Sequence, residues 1–194
     1  MNRRRRGRIV LPVLLAALAG IFPTRGVPQT SSALDLHGKE VDPLKASLGK
    51  LVVLIFVRTD CPISNRYAPI IQKMSSDYAA KSSFWLVYPD KSESPENISH
   101  SLEQYGYRLP ALRDTQHVLV QLSQVEITPE AAVFDSGGHL VYHGRIDNWY
   151  EDFGRSRPAP TTHELSDAIQ AALSGKSPAV AATQAVGCYI SDLK

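Results

Sequence analysis

Cys61 is the residue of this chain best placed to do chemistry. It follows the apolar run 51–57 and directly precedes Pro62, where a segment of helical periodicity begins. Pro fits the first position of a helix because its missing N–H would have no partner there anyway. A cysteine before such a helix faces unpaired N–H groups and the positive end of the helix dipole, which favour thiolate over thiol. Because the thiolate attacks disulfides, peroxides and metals, we expect Cys61 to be reactive rather than structural.

The N-terminal sequence indicates export. Arginines at positions 3–6 and 8 precede an apolar stretch at 9–22, and Ala17-Leu18-Ala19 offers a small-x-small cleavage site. About fourteen apolar residues, interrupted by Pro12, are fewer than the roughly twenty that span a bilayer. We therefore predict a signal peptide or an uncleaved N-terminal anchor at 1–26, in a periplasmic or secreted protein. Only Cys188 accompanies Cys61, which is too few cysteines for a disulfide scaffold.

The net positive charge of the whole chain comes from that N-terminal segment. The formal net charge is +2, but without residues 1–19 there are 16 Lys and Arg against 19 Asp and Glu. This leaves no basic surface of the kind that binds nucleic acid. We expect no nucleic-acid partner, and membrane contact only through an uncleaved N-terminal segment.

The remaining sequence predicts one α/β domain at 34–175, after a linker at 27–33 and before a C-terminal tail at 176–194 that carries Cys188. Its apolar runs are typical of strands buried on both faces, and its amphipathic segments of helices. The predicted elements are, in order, strand 51–57, helix 62–80, strand 84–88, a helix capped by Ser94 and ending at Gly106, a short helix capped by Asp114, a hairpin of strands 131–134 and 140–146, and a last helix opened by a Thr161-x-x-Glu164 capping box. Residues 34–48 have no strong period, and 177–185 form a Pro/Ala-rich linker. This order predicts a central mixed β-sheet flanked by helices on both faces.

That order, with Cys61-x-x-Ser64 opening the first long helix and Thr128-Pro129 before the hairpin, resembles the thioredoxin-like redoxins. This group includes peroxiredoxins and extracytoplasmic thiol oxidoreductases, and the resemblance also rests on motifs at 60–69, 144–147 and 187–190. It implies the thioredoxin-like fold and a thiol oxidoreductase without a cofactor. It also implies that Pro129 is cis against Cys61, and that Thr128 offers backbone groups to a substrate chain.

Departures from the family pattern shape the expected mechanism. Ser64 stands where thioredoxins have a second cysteine; its hydroxyl can hydrogen-bond a thiolate but cannot resolve a mixed disulfide. A reaction at Cys61 must therefore finish through an external thiol or through Cys188. Thirteen residues from Gly175 to Cys188 can span about 43 Å, so the tail can reach Cys61. Arg58 stands where peroxiredoxins have a threonine three residues before the cysteine, which weakens the case for a peroxidase.

Histidines and charged residues supply the alternatives. Copper-delivery proteins of this fold use two nearby cysteines and a histidine, and this chain lacks the second nearby cysteine. His139 and His143 would be about 13 Å apart on one strand, too far for one metal. We expect His117 and His163 at the surface, and Arg145 and Asp147 as an ion pair or as residues that orient the tail. Tyr142, Trp149 and Tyr150 are expected to be half-buried aromatics.

We therefore expect Cys61 as nucleophile and Cys188 as resolving or partner cysteine, assisted by Ser64, Thr128 and Pro129. The expected partners are protein or small-molecule thiols and disulfides, with an external reductant that the sequence does not identify. No cofactor and no metal site are predicted. A thiol peroxidase and a copper-binding or redox-sensing module remain the alternatives.

Overall fold

The computed structural model describes residues 31–47, 49–191 and 193. The expected signal segment at 1–26 lies outside these residues. Within the described part of the chain the strands are β1 (Ala33–Asp35), β2 (Glu40–Val41), β3 (Leu51–Phe56), β4 (Ser82–Tyr88), β5 (Ala111–Arg113), β6 (Ile127–Thr128), β7 (Glu130–Phe134), β8 (Leu140–Gly144), β9 (Tyr150–Asp152), β10 (Arg155–Ser156) and β11 (Cys188–Tyr189). The helices are α1 (Pro43–Ala46), α2 (Pro62–Tyr78), α3 (Pro95–Gln104), α4 (Val118–Ser123) and α5 (Glu164–Leu173). None of the helices in these ranges is long and apolar enough to cross a bilayer.

A seven-stranded mixed sheet forms the centre of the domain, with strand order β2-β1-β5-β4-β3-β7-β8. Strands β3, β4 and β5 run parallel, whereas β1, β7 and β8 pair antiparallel with their neighbours. All six residues of β3 are buried, as the continuous apolar run predicts for a central strand. Residues of α2, α3 and α5 pack on one face of the sheet and residues of α1 and α4 on the other. The predicted α/β architecture is therefore confirmed.

Three short strands of the central sheet were not predicted from the sequence. Strands β1 and β2 lie in the segment 34–48 and its margin, where no period was visible, and β5 precedes Asp114. Each has two or three residues, too few to display an alternation of apolar and polar positions. Backbone pairing with neighbouring strands, rather than a side-chain pattern, makes these segments strands.

The start of α5 differs from the expected capping box. The helix begins at Glu164 rather than near Thr161, and His163 occupies the capping position without a side-chain hydrogen bond. The backbone N–H groups of Thr161 and Thr162 instead donate to Asn148 Oδ1, at 2.7 and 3.1 Å. Glu164 forms an ion pair with Arg145, so a contact distant in sequence replaces the local cap.

Candidate redox site

Cys61 lies at the C-terminal side of β3 and caps α2. Its backbone is extended (φ −85°, ψ 111°), Pro62 is the first helical residue, and the Cys61 carbonyl accepts the Asn65 N–H at 3.1 Å. The sulfur makes no capping hydrogen bond to the N–H groups of the helix. Of the two effects expected to stabilise a Cys61 thiolate, the helix dipole is therefore the one that applies. Cys61 is fully buried.

Thr128 and Pro129 lie directly against this cysteine. The Thr128–Pro129 peptide bond is cis, as the family resemblance implies. The Cys61 S–H donates to the Thr128 carbonyl at 3.3 Å, although 67 positions separate the two residues. The loop that carries Thr128 thus contacts the cysteine at the end of the central strand.

Cys188 reaches the same place from the C-terminal tail. Strand β11 pairs antiparallel with β6, which sets Cys188 opposite Thr128, and the Thr128 hydroxyl donates to the Cys188 carbonyl at 3.2 Å. The two sulfurs are 2.8 Å apart. Both cysteines are free thiols, since a disulfide has an S–S distance of about 2.05 Å. The fold therefore brings together the two cysteines that the sequence separates by 127 positions.

Cys188 is the hydrogen-bond donor of this pair. Burial, and then the bond to Cys61, raise the pKa of the Cys188 thiol to about 12. Cys188 consequently stays protonated near neutral pH and donates its S–H to the Cys61 sulfur. Such a bond stabilises a Cys61 thiolate, because a charged acceptor strengthens a hydrogen bond.

Residues 181–190 are fixed to the domain, contrary to the flexible linker expected at 177–185. The His143 N–H donates to the Ala181 carbonyl at 3.0 Å, and the Thr183 N–H donates to the His143 carbonyl at 3.1 Å. Farther along, the Ile190 N–H donates to the Glu126 carbonyl at 2.9 Å, and the Ile190 side chain is buried. The composition predicts a linker because small residues and Pro show no periodic pattern of apolar positions. The same small residues, however, let this segment approach the sheet closely.

Two glycines make that approach possible. A Cβ on Gly187 would lie 2.1 Å from the Thr128 carbonyl oxygen, and a Cβ on Gly144 would lie within 2.8 Å of the Thr183 backbone. Gly144 also has a φ of +140°, which favours glycine. The tail thus contacts the domain at two places where any other residue would collide with backbone atoms.

Ser64 does not make the expected hydrogen bond to the Cys61 sulfur. Its hydroxyl oxygen is buried and has no hydrogen-bond partner among the described residues, so the bond to Cys61 is absent. One turn of helix separates the two residues, and Cys61 bonds instead to groups from β6 and β11. A role for Ser64 stays a prediction.

The charged residues near Cys61 include one that the sequence analysis missed. The Arg58 guanidinium forms ion pairs with Asp60 at 2.9 Å and Asp90 at 3.1 Å, so two carboxylates share its charge. Glu93, buried and with its pKa raised by burial, accepts the Thr59 N–H at 2.6 Å and holds the segment that leads to Cys61. Glu93 lies 34 positions from Thr59, and no local sequence pattern predicts this contact.

Several other expectations need correction. Arg145 pairs with Glu164 rather than with Asp147, although its backbone N–H does contact the tail by donating to Thr183 Oγ1 at 3.1 Å. Asp147 accepts the Tyr67 hydroxyl at 2.5 Å, a contact across 80 positions. Among the aromatics, Tyr142 is fully buried and Tyr150 is also buried, instead of half-buried as expected. The buried Tyr142 hydroxyl finds partners in Arg145 O and Thr183 Oγ1.

The histidines do not converge on the cysteines. His163 is exposed as expected, but His117 is buried, with Nε2 3.0 Å from the Pro89 carbonyl. Within the described ranges, no cluster of three or more His, Cys, Asp or Glu residues has the arrangement of a metal site. His143 contributes its backbone to the tail contact, and its ring lies 3.8 Å from Glu130.

A family model described as "Thioredoxin-like" matches residues 49–140, which include β3, α2, β4 and the Thr128–Pro129 bond. The chain has the thioredoxin-like fold. The thioredoxin-like domain superposes on a hypothetical protein of Sinorhizobium meliloti 1021 (22% identity, 82% of this chain and 88% of the other, TM-score 0.68). An uncharacterized conserved protein of Geobacillus kaustophilus is similar (22% identity, 84% and 89% coverage, TM-score 0.70).

A third similar structure is a secreted Mycobacterium tuberculosis disulfide oxidoreductase homologous to E. coli DsbE. It shares 17% identity with this chain over 76% of this chain and 96% of its own, with a TM-score of 0.51. No curated protein sequence matches the chain. At these identities the likeness establishes the thioredoxin-like fold, as the motifs around Cys61 and Thr128 predict.

Proposed function

We propose that this thioredoxin-like protein is an exported thiol–disulfide oxidoreductase whose redox unit is the pair Cys61 and Cys188. The observation that carries the proposal is the 2.8 Å separation of the two sulfurs, next to the cis Thr128–Pro129 bond. Sulfurs at this distance need to approach by less than about 1 Å to form a disulfide. The backbone contacts of the tail hold Cys188 in place without any covalent bond.

In the dithiol state only non-covalent contacts hold the tail, and the cycle begins when the tail leaves β6 and uncovers the buried Cys61. The Cys61 thiolate then attacks a sulfur of a substrate disulfide. A bond forms between Cys61 and that sulfur, and the second substrate sulfur leaves as a thiolate. Cys188 then gives up its proton and attacks the Cys61 sulfur, which releases the first substrate sulfur and forms the Cys61–Cys188 disulfide. The substrate has gained two electrons, and a dithiol reductant returns the protein to its dithiol state.

Each end of the pair has a distinct task in this cycle. Cys61 lies at the N-terminus of α2, where the helix dipole favours a thiolate both as nucleophile and as leaving group. Cys188 holds the proton until the mixed disulfide forms, because the pKa of its thiol is raised to about 12 beside the Cys61 sulfur. When the Cys61 charge is lost to the mixed disulfide, one cause of that raised pKa disappears and Cys188 becomes a better nucleophile.

Export rests on the basic and apolar segment at 3–22. The similarity in fold to a secreted disulfide oxidoreductase is consistent with it. An oxidising compartment is also where a two-cysteine redox pair can persist as a disulfide.

Peptide mapping under non-reducing conditions tests the proposal. Trypsin should release Cys61 in peptide 59–66 and Cys188 in peptide 177–194. After mild oxidation we expect these peptides as one cross-linked species, and the free thiol count should fall from two to zero. Cys188→Ser should lose the cross-link and accumulate mixed disulfides or sulfenic acid at Cys61, whereas Ser64→Ala should retain the cross-link.

Two results would contradict the assignment. Wild-type protein that keeps two free thiols after oxidation has no redox pair. A Cys188→Ser variant that reduces disulfides as fast as wild type needs no resolving cysteine. Peroxide turnover at a rate above that of disulfide turnover would instead favour the peroxidase alternative, and Cu(I) retention by both thiols would favour the copper-binding one.

A further inference from the structure

The two sulfurs of the proposed pair differ in how they can be approached from outside. Cys61 is fully buried, enclosed by α2, the Thr128 carbonyl and the tail. Cys188 is partly exposed and precedes Tyr189, whose side chain is 72% exposed. Closing the 2.8 Å gap to a bond moves each sulfur by a fraction of an ångström, so this difference persists in the disulfide.

The tail itself blocks the alternative approach. Strand β11 occupies the backbone edge of β6 with Cys188 opposite Thr128, so an incoming chain cannot pair with that edge while the tail is bound. The tail is held on both sides of Cys188, by Thr183 on β8 and by Ile190 at Glu126. Gly187 brings the strand close enough to the Thr128 carbonyl to leave no room for another group between them.

We propose that the reductant of this protein attacks Cys188, and not Cys61, so that Cys188 carries the mixed disulfide with the reductant. This step rests on the proposed function, because it requires the Cys61–Cys188 disulfide. It gives Cys188 a second role besides resolution: it is the sulfur through which electrons enter the protein.

The reductant is a dithiol that reacts in two steps. One reductant thiolate forms a bond to the Cys188 sulfur, the Cys61–Cys188 bond breaks, and the electron pair remains on Cys61 as a thiolate. The second reductant thiolate then attacks the first reductant sulfur, which becomes part of the reductant's own disulfide, and Cys188 leaves and takes a proton. Exchange of this kind is fastest when the leaving sulfur is the more stable thiolate, and Cys61 at the helix N-terminus meets that condition. Burial raises the pKa of the Cys188 thiol, which makes Cys188 the poorer leaving group and favours the same direction of attack.

Rapid trapping of the mixed disulfide tests this step in the wild-type protein. Oxidised protein is mixed with excess glutathione, a monothiol that stops after the first attack, and is quenched with acid and N-ethylmaleimide at the earliest accessible times. We expect glutathione on peptide 177–194 and N-ethylmaleimide on peptide 59–66. Glutathione on 59–66 in more than about one fifth of the earliest adducts would overturn the inference.

A second measurement tests whether the tail covers Cys61. In Cys188→Ser, which keeps the tail in place, iodoacetamide should alkylate Cys61 slowly. Adding Gly187→Ala should raise this rate at least tenfold, whereas adding Val180→Ala, a change on the same tail at a side chain 51% exposed, should leave it unchanged. An equal rate with Gly187→Ala would mean that the tail does not cover Cys61, and would also overturn the inference.

The two proposals fail in different ways. If the starting protein contains no Cys61–Cys188 disulfide, the proposed function is wrong and this step falls with it. If the disulfide forms but glutathione bonds to Cys61, only the direction of attack is wrong.

Discussion

Gly187→Ala should separate the two cysteines without altering either of them. The new Cβ would lie 2.1 Å from the Thr128 carbonyl oxygen and 2.7 Å from its carbon. Both are backbone atoms next to Pro129 and cannot rotate away as a side chain would. The tail must therefore move away from β6, and Cys188 moves with it.

The contacts at risk set the size of the effect. The contacts of the tail near β6 include two hydrogen bonds, from the Thr128 hydroxyl to the Cys188 carbonyl at 3.2 Å and from the Ile190 N–H to the Glu126 carbonyl at 2.9 Å, each worth about 1 kcal/mol. The Ile190 side chain is 5% exposed, and its burial contributes about 1.5 to 3 kcal/mol. Loss of about 3.5 to 5 kcal/mol would lower the effective concentration of Cys188 at Cys61 by about 300-fold or more.

Equilibration in glutathione redox buffers measures that effective concentration directly. The ratio of reduced to oxidised glutathione at which half of the protein is disulfide-bonded is compared for wild type, Gly187→Ala and the control Val180→Ala. We expect the variant to need a more oxidising buffer by about 300-fold, and the control to match wild type. A change smaller than about threefold would refute the reasoning, because it would mean that the tail position does not depend on close contact at Gly187.

Three further predictions concern stability. Formation of the Cys61–Cys188 disulfide closes a loop of 127 positions, which in the chain-entropy model contributes about 5 kcal/mol and should raise the Tm by about 10 to 20 °C; calorimetry with and without reductant should show this shift in wild type and no shift in Cys188→Ser. Tyr67→Phe should lower the free energy of unfolding by about 1 to 3 kcal/mol in urea titrations, since it removes a buried donor from Asp147, and a loss below about 0.5 kcal/mol would contradict this. Burial raises the pKa of Glu130 to about 7 from its ordinary 4.5, so the folded protein favours the protonated carboxyl more than the unfolded chain does. The stability that this protonated carboxyl contributes is complete below about pH 4.5 and is lost as the pH rises towards 7. Glu130→Gln keeps an acceptor oxygen for the N–H groups of residues 126 and 127 and should flatten that part of the stability curve, measured by denaturant unfolding between pH 4 and 8; an unchanged slope would exclude Glu130 as its source.

The sequence by itself determined the fold class and the position of Cys61 at the start of a helix. Both depend on local patterns: a continuous apolar run predicts a strand buried on both faces, and Pro62 after Cys61 predicts the start of a helix. Ser94 and Asp114 were likewise identified from short-range cues, and their side chains do accept the N–H groups at the starts of α3 and α4. Such cues work because the hydrogen bonds they predict span only a few residues.

Only the tertiary structure decided how the site is assembled. The sulfur of Cys188 reaches Cys61 because β11 adds to a two-residue strand that no periodicity marks. Composition suggested a free linker at 177–185, yet backbone hydrogen bonds to His143 fix this segment, and backbone groups carry no sequence signature. Gly187 and Glu93 act through single contacts with Thr128 and Thr59, residues that are distant in the chain. Contacts of this kind depend on which surfaces the packed sheet and helices bring within a few ångströms, and that is a property of the whole fold rather than of any segment.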